Sequence, residues 1–131
     1  ALNDGLIRIF GGSQIRPNIH IDDMCDLYRF FIKTNKKNVG IYNAGFENKS
    51  ISEIAGNITK VIPSKSIVIK NLSDPRSYKL DSSKLLKIGF KPKKKIKDAI
   101  IELRNNFNQN ILKQKPNFHS LNWLKKILKN S

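Results

Sequence analysis

The chain has 131 residues, enough for one modest domain with a real core. Its 25 Lys and Arg against 10 Asp and Glu give a formal charge of +15, so nucleic acid or an anionic ligand has to be considered as a partner. Cys25 is the lone cysteine, which excludes an internal disulfide and a cysteine zinc cluster. No apolar run reaches the roughly 20 residues of a membrane helix and no secretion leader is visible, so a soluble cytoplasmic protein without a membrane partner is expected.

Of the cations 20 are Lys and 5 are Arg, while Ile and Asn number 19 and 15. Lys, Asn and Ile share A/T-rich codons, and codon composition is taken as the main source of the charge. Proteins that read bases depend more on Arg, whose fork grips them bidentately.

In chain order, Ala1 to Gly5 reads as the frayed end of a helix closed by a glycine cap, and residue 1 is not Met. A preceding segment is therefore expected. Leu6 to Phe10 alternates as a strand, Gly11-Gly12-Ser13 signals a turn, and Gln14 to Ile21 extends again around Pro17. These predict a β-hairpin or a kinked strand pair, with Pro17 at an edge. Asp22 is expected to cap a helix whose apolar stripe is Met24, Leu27, Tyr28 and Phe31, with Ile32 beside it. Asp22, Asp23 and Asp26 complement the dipole of its first turn.

Val39 to Asn43 reads as a short strand closed by Ala44-Gly45. Ser50 and Glu53 form a capping box ahead of an amphipathic helix that Pro63 ends. Ile67 to Lys70 is a predicted strand and Tyr78 to Leu80 a shorter extended piece. Asp81 is expected to cap a brief helix that Gly89 terminates. Ile96, Ala99, Ile100, Leu103 and Phe107 mark a third long helix, and Ser120 opens a last one carrying Leu121, Leu124, Ile127 and Leu128. Alternating strands and helices make the class α/β or mixed α+β. The strands are few and short, as in a piece completed by a sheet outside it. Residues 108–118 read as a flexible link, which divides the chain into 1–107 and a basic amphipathic tail, 108–131.

Two stretches carry candidate chemistry. In the first, Arg16 follows a tight turn, where a guanidinium can grip a phosphate bidentately. His20, a lone histidine, reads as a packed residue, and Asp22 and Asp23 as helix-start residues. In the second, Ser73 to Lys84, Arg76 sits in a turn ahead of Tyr78 and a capped helix. Two loop arginines would suit a diphosphate.

Four stretches in order resemble the carboxy-terminal part of the NAD-dependent epimerase/dehydratase family, the extended short-chain dehydrogenases that act on nucleotide sugars. They are Gly11-Gly12-Ser13-Gln14-Ile15-Arg16-Pro17-Asn18-Ile19-His20-Ile21-Asp22-Asp23; Ile41-Tyr42-Asn43-Ala44-Gly45 with Ser50-Ile51-Ser52-Glu53-Ile54-Ala55; Asp74 to Lys84; and Ile88-Gly89-Phe90-Lys91-Pro92. The resemblance implies a substrate-binding lobe of a Rossmann-like enzyme that lacks its dinucleotide-binding half. It implies substrate-binding roles for Gln14, Arg16, Asn18 and Arg76, with Arg16 on the family's diphosphate arginine. Many members carry an aromatic residue where Asn18 stands. The implied ligand is a nucleotide-diphosphate sugar, and NAD or NADP would serve the intact parent, which often dimerises.

No Gly-rich strand-turn-helix and no Tyr followed four residues later by Lys is present, since Tyr28, Tyr42 and Tyr78 precede Ile32, Phe46 and Ser82. Catalytic, cofactor-binding and metal-binding residues are therefore not expected here. A basic nucleic-acid module, with the clusters Lys91 to Lys97 and Lys125 to Lys129, is the rival reading, although no recognised binding motif supports it. An inactive structural remnant is a third.

Overall fold

The computed structural model describes residues 1–34, 38–69, 75–112 and 120–129. Its elements are β1 (Leu6–Phe10), β2 (Ile15–Asn18), α1 (Ile21–Lys33), β3 (Glu47–Ser50), α2 (Ile51–Val61), β4 (Lys65–Ile69), α3 (Ser83–Lys87), α4 (Ile96–Asn108) and α5 (Ser120–Lys129). The architecture is mixed α/β with two small sheets: β1 and β4 pair in parallel, and β2 and β3 antiparallel.

The expected hairpin between β1 and β2 does not form. Gly11 and Gly12, at φ 75° and 112°, turn the chain out of the first sheet. The Gln14 side chain braces that turn: its Oε1 accepts from Gly12 N at 2.6 Å and its Nε2 donates to Phe10 O at 2.6 Å. β1 instead finds β4 after a long connection through β2, α1, β3 and α2, in the register Leu6↔Lys65 to Phe10↔Ile69. The strand expected at Val39 to Asn43 is also absent. β2 pairs with the polar stretch Glu47–Ser50, while the Tyr42 ring packs on Phe31 at 5.1 Å.

Helix α1 begins with His20, not Asp22, as its cap: His20 Nδ1 accepts from Asp22 N at 3.1 Å. Its packed face keeps Met24, Leu27 and Phe31 of the expected stripe, gains Phe30, and leaves out Tyr28 and Ile32. Leu27 joins Leu85 and Phe90 in the core, with Met24, Phe30 and Phe31 against them, and Phe30 meets Phe90 edge-on at 5.7 Å. Tyr28 and Ile32 are exposed and line up with Ile21 along the outer side. α1 thus has one broad apolar arc, of which the side that includes the unheralded Phe30 is covered.

Asp23 is buried, and its two carboxylate oxygens accept the backbone N–H groups of Lys93 and Lys94 at 2.9 and 3.0 Å. Next along the chain, Glu47 Oε2 accepts Ile96 N, so a β3 side chain closes the start of α4. The Ser50–Glu53 capping box forms as expected, with Glu53 N to Ser50 Oγ at 3.1 Å and Ser50 N to Glu53 Oε2 at 2.8 Å. Ser82, not Asp81, holds the N-cap position of α3, but its side chain makes no cap hydrogen bond there. Asp81 stands one place earlier and accepts Ser83 N at 2.9 Å. Gly89, at φ 100°, follows that helix.

Ser82 Oγ is buried and bonds both Gly45 N and Gly45 O, at 3.0 and 3.1 Å. A Cβ at Gly45 would lie 2.8 Å from Pro17 Cβ, so only glycine lets this loop reach β2. No buried side-chain polar atom among the described residues lacks a partner. No described helix is long and apolar enough to cross a membrane.

Two consequences are measurable. Asp23→Ala leaves two backbone N–H groups without an acceptor and costs about 3 kcal/mol, read as a lower urea midpoint with an unchanged slope. Glu53 is held below its ordinary carboxylate value, first by the Ser50 N–H and then by its hydroxyl, and Asp26 by the hydrogen bond and charge of Lys93. Groups with lowered folded values add stability that is complete above their unfolded values and lost as pH falls through the folded ones. The melting midpoint should therefore drop slightly between about pH 5 and about pH 2, and Glu53→Gln with Asp26→Asn should reduce that small drop.

Candidate functional site

The two arginine-bearing stretches come together at β2. Ile15 N donates to Ser77 Oγ at 3.0 Å, and Tyr78 N donates to Ile15 O at 3.3 Å. Asn48 continues the pairing from β3: its Nδ2 donates to Leu80 O at 3.0 Å and its Oδ1 accepts Leu80 N at 2.9 Å. Residues 77–80 therefore run beside the β2–β3 ladder, held partly by side chains that stand in for backbone.

Arg16 lies at the centre of this seam. Its Nη1 donates to Ile15 O at 2.9 Å and to Arg76 O, and its guanidinium sits 5.4 Å from the centre of the Tyr78 ring. Two carbonyls and an aromatic face fix the plane of the fork. Arg76 meets Arg16 through its backbone, and its own side chain is exposed. The site thus joins Arg16, Arg76, Ser77 and Tyr78. Residues 70–74, and with them Ser73, Asp74 and the Lys70 end of the expected strand, lie outside the described residues.

Gln14 and Asn18 are placed differently. Gln14 is buried and uses both ends of its amide on the turn described above. Asn18 Nδ2 donates to Arg16 O at 2.8 Å and Glu47 O at 3.0 Å, tying β2 to β3. Both shape the backbone that carries Arg16. Asp81, near the far end of the seam, has its carboxyl held below the ordinary value by the hydroxyl and then the N–H of Ser83.

His20 is packed between α1 and α4. Nδ1 accepts the Asp22 N–H, so the ring proton is on Nε2, which lies 3.2 Å from Glu102 Oε2. His20, Asp22 and Glu102 could offer three metal-ligand atoms within 4.8 Å of one another. Each ring nitrogen is already engaged, and a metal there would displace a helix cap or an interhelical tie. A cavity of about 240 Å³ lies nearby, walled by Phe46, Ile54, Ile58, Ile100 and Leu103. It is smaller than the roughly 300 Å³ at which ligand pockets begin, and its apolar walls do not suit a diphosphate.

The Gly11–Gly12 turn does not fit a dinucleotide. It leads into β2 and not into a helix, and the Gly12 N–H is taken by Gln14. The sequence did not signal Asn48 as part of the site, and it placed Ser77 in the second candidate stretch without giving it a role. Their hydroxyl and amide act only through long-range pairing, which local spacing cannot show.

No protein-family model matches the chain. Aligned over 120 positions that cover 88% of its length, the chain is 26% identical to a probable GDP-L-fucose synthase 1 from Oryza sativa subsp. japonica. That match spans 36% of the rice protein, so the chain corresponds to about a third of this relative's length and is distantly similar to a nucleotide-sugar enzyme.

Proposed function

We propose that the chain is the substrate-holding part of a nucleotide-sugar-modifying enzyme of the NAD-dependent epimerase/dehydratase type, and that Arg16 binds the diphosphate of the nucleotide sugar. The observation that carries this reading is the fixed Arg16 guanidinium at the seam of β2 and residues 76–80, within a chain similar to a GDP-L-fucose synthase. A guanidinium is the side chain best matched to phosphate oxygens, and one already fixed in plane loses less freedom on binding. Gripping the diphosphate would orient the attached sugar, so binding energy far from the reacting carbon serves positioning. Gln14 and Asn18 act in this reading as positioning residues, because they hold the backbone on either side of Arg16.

Chemistry at the sugar would need NADP or NAD, which the residues here do not fit and which a further part of the protein would hold. Two exposed surfaces support such a part. β1 and β4 form a parallel pair with Phe10, Ile67 and Val68 about half exposed, whereas parallel strands are ordinarily covered on both faces. The outer stripe of α1, with Ile21, Tyr28 and Ile32, is a second apolar surface. Within the basic cluster Lys91 to Lys97, by contrast, two lysines pair with acids of α1: Lys93 Nζ lies 2.7 Å from Asp26 Oδ2 and Lys94 Nζ 4.0 Å from Asp22 Oδ2. That pairing weakens the nucleic-acid reading.

Calorimetric titration with GDP-L-fucose tests the proposal. Arg16→Ala should weaken binding by about 10- to 100-fold, with Arg16→Lys between it and the parent, and circular dichroism should stay unchanged. Equal affinity in the parent and Arg16→Ala contradicts the assignment. Binding to a DNA duplex with a steep salt dependence, and none to GDP-L-fucose, favours the rival.

A further inference from the structure

Helix α5 divides its apolar and charged residues more sharply than any other described element. At about 100° per residue, Trp123, Ile127, Leu124, Leu128 and Leu121 lie in one arc of roughly 160°, which also contains Ser120 at the start of the helix. By the same register, positions 125, 126 and 129, all lysine, share the remaining arc with position 122, an asparagine. Leu121, Trp123, Leu124 and Leu128 are between 45 and 66% exposed. After Glu102 the sequence has no Asp or Glu, while Arg104 and five lysines follow it.

We infer that α5 is an interfacial anchor that lies on an anionic lipid surface. Its apolar arc enters the boundary between headgroups and acyl chains, and its lysines meet the lipid phosphates. A strongly amphipathic helix with lysines on one face and Trp and Leu on the other has the chemistry for this position. Trp123 stands at the edge of the apolar arc, beside position 126, where an indole sits at headgroup depth. Ten residues make a helix about 15 Å long, half the thickness of a bilayer core, so α5 lies along the surface. A lysine arc without any acid matches a laterally uniform negative sheet better than a protein groove of mixed sign. The expectation of no membrane partner rested on the lack of a spanning segment, which a surface helix does not need. The inference is independent of the nucleotide-sugar reading, because α5 shares no residue with that site.

Trp123 is the sole tryptophan, so its fluorescence reports on this helix alone. The chain is mixed with vesicles of phosphatidylcholine and phosphatidylglycerol, or of phosphatidylcholine alone. The expected result is co-sedimentation and a blue shift of Trp123 with the mixed vesicles, both weakened by salt. Replacing Lys125, Lys126 and Lys129 together with Gln should weaken binding on the order of 100-fold. Leu124→Gln with Leu128→Gln should abolish the blue shift while keeping every charge. Three results overturn the inference. The double leucine variant could bind as well as the parent, which would make the adhesion general charge attraction. Emission could be blue from the start and indifferent to vesicles, which would mean that protein covers the face. Trp123 could respond to a DNA duplex and not to the vesicles, which would make the partner a nucleic acid.

Discussion

The buried carboxylate of Asp23 is the constraint on which most of the arrangement depends. By accepting two successive backbone N–H groups, it fixes the segment leading into α4 against the first turn of α1. Glu47 then receives the next free amide, that of Ile96, and sets α4 against β3. Since β3 is the ladder partner of β2, the start of α4 and the strand that carries Arg16 belong to one connected frame. His20 adds a further tie by linking the start of α1 to Glu102 in α4.

The same frame engages part of the lysine-rich sequence. The lysine-rich approach to α4 passes the acidic first turn of α1, where Lys93 and Asp26 pair. The pairing raises the Lys93 value and lowers that of Asp26. These groups are well solvated, so the pair contributes little stability. It does show that a basic cluster in sequence need not be a basic patch in space. The lysines of α5 differ in kind, since that helix has no acid of its own.

Local signals in the sequence were legible. The Ser50–Glu53 box, the stripe of α2, the extent of α4 and the tail helix that opens at Ser120 all follow from spacing within one or two turns. Strand pairing was not, because β1 meets β4 across more than fifty residues and β3 is a polar stretch with little strand propensity. The stripe of α1 was legible at Met24, Leu27 and Phe31, while its exact edge was not, because the apolar arc is broad and only packing against Leu85 and Phe90 draws in Phe30 and leaves Tyr28 and Ile32 outside. Asp22 has the better capping side chain, yet histidine serves because one ring nitrogen accepts the amide while the other faces Glu102. The two arginines were visible as residues. Their relation, with Arg16 held by the carbonyl of Arg76 and the ring of Tyr78, required the fold.

Gln14, Asn18, Ser77 and Asn48 thus act together in holding the backbone around a single cation in a fixed place. The β1–β4 pair and the outer stripe of α1 keep apolar side chains exposed away from that cation. Amide hydrogen exchange with and without GDP-L-fucose tests this account most directly. It predicts added protection at residues 14–18 and 76–80. Protection confined to Lys91–Lys97, or none at the β2 seam, would contradict it.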